Sequence, residues 1–506
     1  MSELQNQKVL VLGLGLSGIA MARWCARNGA SVTVADTRSE PPELSNLEEM
    51  VPDACFVGGA LDVSLHAHGP FDRILKSPGL SPAEVSRVLP VEVTESAFFA
   101  GELDLFSEAL NDLLKVRNYK PKVLAITGTN GKTTVTSLTG KIVERAGKTV
   151  AVAGNIGPTL LEVLMACLDT DTLPQVWVLE LSSFQLDEVK NFNPDAATVL
   201  NISEDHLDWH GDMQHYVAAK KRIFGAAAKR ILNRDDPVTL AMKPPDRSPG
   251  KQTDRPAPRC QTFGQSLPTH PGDFGLESVN GMVWLVRALD ADVQRRKRNE
   301  ALEVVHIQRL LPADALRIRG RHNALNALAA LALGEAAGCT LAPMLFALRD
   351  YRGEPHRVES VGRVHDIEFF DDSKGTNVGA TVAAICGLGA DRKLIVILGG
   401  VGKGQNFSPL AKPVADHARA VVLLGRDAGL IAHSLEPAAI PVFYANSMAD
   451  AVNQSLSQAR PGDAVLMSPA CASFDMFKNY VDRAQVFRQA VEAVASETGN
   501  SLEGAL

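Results

Sequence analysis

The sequence feature that most constrains the fold is residues 123–134, which read VLAITGTNGKTT. The apolar residues 123–126 predict a buried strand, and the residues from Val135 onward predict a helix. A Gly-rich turn between strand and helix aims backbone N–H groups and a positive helix N-terminus at one point, as a polyphosphate requires. Lys132 would supply a charge for the β- and γ-phosphates, and the Thr133 hydroxyl a ligand for Mg²⁺. The stretch therefore predicts an ATP-binding turn, although the standard P-loop would have Gly where Ile126 stands.

Size and composition set the broad class. A chain of 506 residues is too long for one core and predicts about three domains. Its net charge of −7 argues against a nucleic-acid binder. The seven cysteines include no C-x-x-C pair and are expected to be reduced core thiols, neither disulfides nor a zinc site. The N-terminus resembles neither a signal peptide nor a membrane span, so we expect a cytoplasmic protein without stable membrane insertion.

Residues 8–36 form a first compact unit. They predict a strand at 8–12, a tight turn at 13–18 (GLGLSG), a helix from Ile19 to Arg27, and a second strand at 31–35 that ends at Asp36. The spacing matches the dinucleotide fingerprint. The fingerprint alone is weak evidence for NAD, because it selects only a pyrophosphate at a helix N-terminus, and a nucleotide-sugar diphosphate fits equally well.

Polar residues follow three further predicted strands. The strand at 151–153 leads into residues 154–157 (GNIG), the one at 176–179 into Glu180, and the one at 197–200 into Asp205, His206 and Asp208. Functional groups collect at the carboxyl ends of parallel strands, so these side chains predict an ATP·Mg²⁺ site together with the Lys132 turn. Each one singly would serve equally well as a helix cap. Whether Lys220 or Lys221 points inward is left open by the sequence.

The second half of the chain is less uniform. Residues 243–300, with five prolines at 243–258 and the charge run 295–298, predict a loop-rich excursion with a solvated edge. A helix follows from His322, and its Asn323 and Asn326 share one face, where an adenine edge or neighbouring backbone could satisfy them. Strands at 394–398, 420–424 and 464–467 then predict another α/β sheet. The predicted domains are 1–100, 101–353 (including the excursion) and 354–506.

A series of motifs in order resembles the Mur ligases, the ATP-dependent amide-forming enzymes of peptidoglycan synthesis. The motifs are GLGLSG at 13–18, DTR at 36–38, GTNGKTT at 128–134, GNIG at 154–157, ELSSFQL at 180–186, EDHLD at 204–208, AAKKRIF at 218–224, GRHNALNALAA at 320–330, PHRVE at 355–359, DDSKGTN at 371–377 and SPACASFDMFKNY at 468–480. The resemblance implies an α/β protein of three domains. They are an N-terminal Rossmann-like UDP-binding domain, a central P-loop-type ATPase domain and a C-terminal Rossmann-like domain.

Within that family the chain resembles the ligases that add D-glutamate to UDP-N-acetylmuramoyl-L-alanine, and this resemblance gives the residues their roles. ATP would be bound by Gly128, Thr129, Asn130, Gly131, Lys132, Thr133, Thr134, Asn326, Arg357 and Asp372. Two Mg²⁺ ions would be held by Thr133, Glu180, His206 and Lys220, the lysine as an Nζ-carbamate made from CO₂. His356 would lie near the reacting groups, so the implied catalytic residues are Lys132, His206, Lys220 and His356.

The resemblance also implies the substrate contacts. The UDP part would be held by Leu16, Ser17, Thr37 and Arg38, with Asn155 also contacting substrate. D-Glutamate would be held by Lys374, Thr376, Lys403, Ser473, Phe474 and Tyr480. Two positions depart from the family pattern: Val401 stands where an acidic residue is expected, and Tyr480 where phenylalanine is common. We expect a monomer that acts on small molecules and binds no nucleic acid.

Other interpretations explain less of the chain. A Mur ligase for another amino acid, or folylpolyglutamate synthase, would share the chemistry, but the latter would lack such a first domain. An NAD-dependent oxidoreductase would explain only residues 8–36, and a nucleotide switch only residues 123–134. The mechanism implied by the resemblance is phosphoryl transfer to the substrate carboxylate, followed by attack of the amine on the acyl phosphate. Because an acyl phosphate hydrolyses readily, we expect the third domain to close over the site.

Overall fold

The computed structural model describes residues 3–59, 69–81, 84–85, 98–187, 189–244, 260–290, 305–390 and 392–497. Its strands are β1 (Lys8–Leu12), β2 (Ser31–Asp36), β3 (Cys55–Gly58), β4 (Arg73–Lys76), β5 (Phe98–Ala100), β6 (Lys122–Thr127), β7 (Val150–Gly154), β8 (Val176–Glu180), β9 (Ala196–Val199), β10 (Lys229–Asn233), β11 (Cys260–Phe263), β12 (Phe274–Val279), β13 (Met282–Asp290), β14 (Val305–Pro312), β15 (Glu359–Val364), β16 (Ile367–Asp371), β17 (Leu394–Leu398), β18 (Ala418–Leu423), β19 (Val442–Tyr444) and β20 (Ala464–Met467).

The α-helices among these residues are α1 (Leu16–Arg27), α2 (Leu44–Met50), α3 (Glu102–Arg117), α4 (Lys132–Arg145), α5 (Leu160–Asp169), α6 (Ser183–Leu186), α7 (Leu207–His210), α8 (Met213–Lys221), α9 (Pro237–Leu240), α10 (Arg321–Ala336), α11 (Leu341–Asp350), α12 (Val378–Gly389), α13 (Ala411–His417), α14 (Ala428–Leu435), α15 (Met448–Gln458) and α16 (Tyr480–Glu497). Helices α1 and α4 begin at Leu16 and Lys132, three residues before the predicted Ile19 and Val135. The turn residues Ser17 and Thr133 therefore lie in first helical turns.

The predicted α/β class is confirmed by the sheets. The first is parallel in the order β3-β2-β1-β4-β5, so its order reverses beside β1, where α/β proteins form a ligand crevice. The second is parallel in the order β11-β10-β9-β6-β8-β7, with β6 in its interior. The last, β15-β16-β20-β17-β18-β19, is parallel except for the antiparallel pair β15–β16.

The first two sheets share one apolar core. A continuous buried cluster includes Val11 of β1, Phe106 of α3, Leu164 of α5 and Trp177 of β8. The Phe106 ring packs edge-on against the Trp177 indole, with centroids 5.0 Å apart. Aromatic pairs of this kind contribute about 1 kcal/mol beyond the area they bury. The carboxyl ends of β1 and β6 are thus carried by one packed body.

The prediction of a loop-rich excursion over 243–300 is wrong for residues 260–290. β11 adds an edge strand to the second sheet, and β12, β13 and β14 form a separate antiparallel sheet. β13 is stabilised by cross-strand side-chain pairs with both β12 and β14. The sequence prediction missed these strands because prolines and charged residues dominate the flanking segments. Residues 245–259 and 291–304, with the charge run 295–298, lie outside the described residues.

The expectation of core thiols is wrong in part. All seven cysteines are thiols, but only Cys25, Cys339 and Cys471 are buried, whereas Cys55 and Cys386 are exposed. Among the described residues no helix is both long and apolar enough to cross a membrane.

The chain clusters into two compact units, Met1–Phe263 with Ala329–Met344, and Gly264–Leu328 with Leu345–Leu506. The first holds the first two sheets, and the second holds the antiparallel sheet and the last sheet. The domain boundaries at residues 100 and 353 stay a prediction.

Candidate active site

The Lys132 turn (residues 128–134) joins β6 to α4 through two glycines with positive φ. Gly128 has φ +156° and Gly131 φ +83°, values that side chains rarely adopt. A Cβ on Gly128 would also lie 3.0 Å from Cβ of Leu200. The turn therefore needs glycine for both conformation and space. Its backbone N–H groups lie at the N-terminus of α4, where an anion is favoured.

Side chains beyond β9 fix the shape of this turn. The Asn130 N–H donates to Asn201 Oδ1 at 2.8 Å, and Asn201 Nδ2 donates back to the Asn130 carbonyl at 3.0 Å. The Thr129 hydroxyl accepts from the Ser203 N–H at 3.0 Å and contacts the Tyr216 hydroxyl at the same distance. Sequence reasoning missed the roles of Asn201 and Tyr216. The sequence does show that Asn201 follows a predicted buried strand directly. That position alone does not reveal its partner, because Asn130 follows a different strand, β6, which becomes a neighbour only in the folded sheet.

Two lysines converge on the Gly128 carbonyl. Lys132 Nζ donates to it at 2.9 Å and to the Thr129 carbonyl at 2.8 Å. Lys220 Nζ also donates to it at 2.9 Å, and Lys220 is only 2% exposed, whereas Lys221 is exposed. Burial, and then repulsion from Lys132, hold the pKa of Lys220 well below its ordinary value. The structure thus selects Lys220 as the inward lysine and favours its neutral amine.

Glu180 ends β8, and, against the larger effect of burial, its charge raises the pKa of Lys220. Glu180 is 1% exposed, and its Oε1 accepts from Asn155 Nδ2 at 2.7 Å. Its Oε2 is buried and has no hydrogen-bond partner among the described residues. A buried carboxylate oxygen without a donor is costly, and a hard cation would compensate it. Glu180 therefore fits the predicted Mg²⁺ site.

His206 occupies the strained turn that precedes α7. Its φ is +55°, and its ring lies against Phe184 with centroids 4.7 Å apart. Its Nε2 is 3.6 Å from Asp205 Oδ2. Burial lowers the pKa of His206, and both Lys132 and Lys220 lower it further. A neutral imidazole is the form that ligates metals.

The structure places three other residues predicted for this site at the N-termini of two helices. Thr133 and Thr134 belong to the first turn of α4, and Asp208 to the first turn of α7. The hydroxyl of Thr133 and the carboxylate of Glu180 are oxygen donors of the kind that Mg²⁺ prefers, whereas the imidazole of His206 is a softer ligand. The residues present therefore fit the implied ion.

A cleft of about 640 Å³ opens beside the Ser17 turn (residues 13–18) in the same compact unit. It is lined by all five predicted nucleotide-substrate residues of this unit, namely Leu16, Ser17, Thr37, Arg38 and Asn155. Residues 77–80, after β4, complete the wall beside β1. The cleft thus lies at the point where the strand order reverses.

The carboxylate of Asp36, which lines this cleft, is already saturated with hydrogen bonds from Leu14 and Arg38. Its two oxygens accept from the Leu14 N–H at 2.7 Å, the Arg38 N–H at 2.9 Å, and Nε and Nη2 of Arg38 at 2.8 Å each. The hydrogen bond from the Arg38 side chain is the largest cause that lowers the pKa of Asp36 to about 2. A carboxylate has about four lone-pair sites, so none remains for a ribose hydroxyl. The structure therefore argues against a nicotinamide dinucleotide here.

The second compact unit holds the residues predicted for the amino acid. His356 Nδ1 lies 2.8 Å from Oδ2 of the fully buried Asp371, and Glu359 accepts from the His356 N–H at 2.9 Å. Arg488 forms ion pairs with Glu359 and, at 4.0 Å, with Asp371. Within the described residues no group hydrogen-bonds to His356 Nε2. The contact with Asp371 therefore orients the ring and leaves Nε2 available.

Two other predicted residues meet near His356. Lys374 Nζ lies 3.9 Å from the centre of the Tyr480 ring, whose centroid is 6.0 Å from that of His356. Asp372 accepts from the Ser468 hydroxyl at 2.6 Å, and burial raises its pKa to about 7. Asp372 follows β16 and Ser468 follows β20, so the carboxyl ends of these two neighbouring strands bring the two side chains into contact.

The Val401 departure has a structural counterpart. Val401 and Ala472 exchange backbone hydrogen bonds of 2.8 and 2.9 Å, which brings the turn of residues 399–403 (GGVGK) beside Ser473. The Gly402 N–H donates to Asp427 Oδ2 at 2.7 Å. A carboxylate thus lies at this turn although residue 401 is apolar. Lys403 itself is exposed, with φ +52°.

The other predicted residues of this unit are placed as follows. Asn326 Nδ2 donates to Asn323 Oδ1 at 3.0 Å on α10, which confirms that the two amides share a face. Arg357 follows His356 and lowers the pKa of Asp372 through its charge, against the stronger effect of burial. Thr376 lies in the turn before α12, and Phe474 is 69% exposed. The functional roles of all these residues stay predictions.

Comparison with known proteins gives a consistent result. The sequence models of three domains match: the Mur ligase MurD-like N-terminal domain at residues 7–88, the Mur ligase middle domain at 126–249 and the Mur ligase glutamate ligase domain at 356–471. A UDP-N-acetylmuramoylalanine–D-glutamate ligase of Albidiferax ferrireducens is 61% identical over 507 residues, covering 100% of both chains. One of Burkholderia multivorans is 52% identical over 505 residues, covering 98% of each.

Solved structures agree on the fold. MurF ligase from Thermotoga maritima, in complex with ADP, has a TM-score of 0.56 at 15% identity and covers 98% of this chain and 100% of its own. UDP-N-acetylmuramate–alanine ligase from the same organism has a TM-score of 0.53 at 20% identity and covers 97% of this chain and 100% of its own. At these identities the likeness concerns the fold alone.

Proposed function

The chain belongs to the Mur ligase family, and we propose that it joins D-glutamate to UDP-N-acetylmuramoyl-L-alanine, with ATP as the energy source, in peptidoglycan precursor synthesis. The observation that carries the chemistry is the group formed by Lys132, Lys220 and Glu180, with one buried carboxylate oxygen unused. The substrate choice is supported by full-length relatives that bear the name of this activity.

In the proposed reaction ATP binds at the Lys132 turn. Lys132 Nζ exchanges the carbonyls of Gly128 and Thr129 for phosphate oxygens, while the N–H groups of the turn cradle the phosphates. The substrate carboxylate attacks the γ-phosphorus, ADP departs, and an acyl phosphate forms. Positive charge near the transferred group stabilises the charge that develops in such transition states.

Thr133, Glu180, His206 and Lys220 would hold Mg²⁺, which when bound supplies charge neutralisation for the phosphoryl oxygens. Lys220 suits this place only after modification, because an ammonium group beside Lys132 would repel a cation. Its lowered pKa favours the neutral amine, which is the form that attacks CO₂; an N–C bond forms, and the nitrogen then loses one proton to solvent and leaves a carbamate anion. We therefore propose an Nζ-carbamate at Lys220.

The nucleotide part of the substrate occupies the 640 Å³ cleft in this proposal. Leu16, Ser17, Thr37 and Arg38 line its nucleotide end, and Asn155 lies between the cleft and Glu180. Asn155 therefore joins the substrate wall to the metal site. Asn326 would contact adenine.

The second compact unit supplies the amino acid in this proposal. Lys374, Lys403 and Ser473 offer a cationic and hydroxyl surface suited to the two carboxylates of D-glutamate. Its ammonium must lose a proton before it attacks the acyl carbon. His356, oriented by Asp371, has Nε2 available to accept that proton. Attack then releases phosphate and leaves the new amide.

The test is phosphate release by the purified chain with ATP, Mg²⁺ and UDP-N-acetylmuramoyl-L-alanine, compared for D-glutamate, L-glutamate and no amino acid. Release that requires D-glutamate is expected. Release with another amino acid would move the specificity within the family, and no release with any of them would overturn the substrate assignment. Glu180→Gln is the matched negative control, because it keeps the shape and removes the charge that faces the metal. A cytoplasmic location, a monomeric state and closure of a third domain stay predictions.

A further inference from the structure

Glu102 is a buried acid that none of the assigned roles uses. It is the first residue of α3 and is 2% exposed. Its Oε2 accepts from the Ser17 hydroxyl at 2.9 Å, and its Oε1 accepts from the Leu161 N–H at 3.0 Å. Ser17 lies on one wall of the nucleotide cleft, and Leu161 lies in the first turn of α5, the helix that follows another part of the lining, residues 154–159. The Glu102 carboxylate is therefore hydrogen-bonded both to Ser17, which lines the cleft, and to Leu161, which follows residues 154–159 of the lining.

This contact fixes the polarity of the Ser17 hydroxyl. A serine hydroxyl has one proton to donate and two lone pairs, whereas a carboxylate only accepts. With its proton committed to Glu102, Ser17 presents lone pairs to the cleft. Burial is the largest effect on Glu102 and raises its pKa, whereas hydrogen bonds from the Leu161 and Leu160 N–H groups and from the Ser17 and Thr159 side chains act in the opposite direction.

We propose that Glu102 is a positioning residue of the nucleotide cleft, which orients Ser17 to accept a hydrogen bond from an N–H or O–H group of the substrate. Ser17 then reads a donor of the nucleotide sugar and does not donate to its diphosphate. This assignment rests on the proposed function, since that function supplies a uridine nucleotide as the ligand.

The variant Glu102→Gln shows whether the Ser17 hydroxyl accepts a hydrogen bond from the ligand or donates one to it, because ligand binding becomes weaker in the first case and tighter in the second. A glutamine amide at residue 102 must avoid facing the Leu161 N–H with its own NH₂, so its carbonyl stays on Leu161 and its NH₂ faces Ser17. The Ser17 hydroxyl then accepts from residue 102 and turns its proton into the cleft. A ligand donor would meet a second donor and bind more weakly, whereas a phosphate oxygen would gain a hydrogen bond and bind more tightly.

The experiment measures the Kd of UDP-N-acetylmuramoyl-L-alanine for the full chain by calorimetry, with KM values for ATP and D-glutamate. We expect roughly tenfold weaker binding in Glu102→Gln and in Ser17→Ala, because in neither variant can residue 17 accept a hydrogen bond from the ligand. The double variant should bind no more weakly than Ser17→Ala, and both other KM values should stay unchanged. Glu108→Gln is the control, since Glu108 lies on the same helix and pairs with Arg73 at 2.6 Å.

Unchanged or tighter binding by Glu102→Gln would overturn the assignment. So would an equal loss in the Ser17→Ala background, or a common rise of the Kd and of both KM values, since either indicates support of the fold alone. Ser17→Ala keeps the test decisive if Glu102→Gln lowers the unfolding temperature. Failure of the unchanged chain to bind the nucleotide would overturn the proposed substrate and this assignment together.

Discussion

The Lys132 turn and the Ser17 turn are built alike, yet their charges are arranged in opposite ways. Each is a Gly-rich connection between a parallel strand and a helix, with an acid at the end of a neighbouring strand. At the Ser17 turn, Asp36 accepts four hydrogen bonds from Leu14 and Arg38. At the Lys132 turn, one oxygen of Glu180 is buried without a partner among the described residues, and two lysines share one carbonyl.

The difference teaches what each turn can bind. A saturated acid is structural, because its four hydrogen bonds come from Leu14 and Arg38 and no lone pair is left for a ligand. A buried carboxylate oxygen without a partner is costly, and a bound metal ion would offset that cost, while Lys132 offers a cation to a phosphate. Similar sequence patterns therefore give a turn with a saturated acid in one place and, in the other, a turn with an unpartnered acid where we propose phosphoryl transfer.

The largest expected effect is at the charged turn. Lys132→Met should lower kcat by about 10³-fold, because it removes a cation that stabilises the transferred phosphoryl group. Lys141→Met, on the same helix but exposed and paired with Glu144, should retain activity. Steady-state phosphate release with circular dichroism checks both. A Lys132→Met enzyme of near-normal rate would remove the functional contrast between the turns.

The next effect tests the rigidity of the Ser17 turn. Gly18→Ala should destabilise the protein by about 3 kcal/mol, because overpacking against backbone is poorly relieved. A Cβ at Gly18 would lie 2.0 Å from the Gly13 carbonyl oxygen, whereas one at Gly15 meets nothing within 4 Å. Gly15→Ala is therefore the matched control. Equal unfolding midpoints in urea for the two variants would show that the turn adapts.

Asp36→Asn tests whether the saturated acid is structural. The pKa of Asp36 falls from 3.8 to about 2 on folding, so its contribution is present above pH 3.8 and is lost as the pH falls towards 2. The shift corresponds to about 2 kcal/mol at neutral pH. Urea unfolding at pH 7 and at pH 2.5 should show a deficit of the variant that shrinks at the lower pH. If the loss of unfolding free energy in the variant were the same at both pH values, it would come from altered packing of the turn and not from the lost charge.

The smallest effects concern the bonds that hold each turn. Asn201→Ala removes the reciprocal pair with Asn130 and should raise the KM for ATP by roughly five- to tenfold. Ser77→Ala removes one neutral bond to the Gly13 carbonyl, of 2.8 Å, and should change the nucleotide KM by less than about fivefold. Initial rates with each substrate varied give both values. A larger effect of Ser77→Ala would reverse the ranking of the two turns.

Much of the architecture could be predicted from local sequence. Apolar runs such as residues 394–398 and 464–467 became buried strands of the last sheet, as their pattern indicated. The predicted excursion was wrong at 260–290, because cross-strand pairing stabilises β12, β13 and β14 and no single segment reveals its partners. The helix starts were placed three residues late, since glycine and serine turns also serve as helix N-termini.

For the site, the sequence by itself determined where chemistry could occur: the Gly-rich turns, the strand-end acids and the family to which their order belongs. Only the tertiary structure decided which of Lys220 and Lys221 is buried, that Asp36 is saturated while Glu180 is not, and that Glu102 contacts Ser17 85 positions away. The reason is physical. Residue type and spacing fix what a group can donate or accept, whereas burial and long-range partners fix its charge and direction, and these exist only once the strands are assembled.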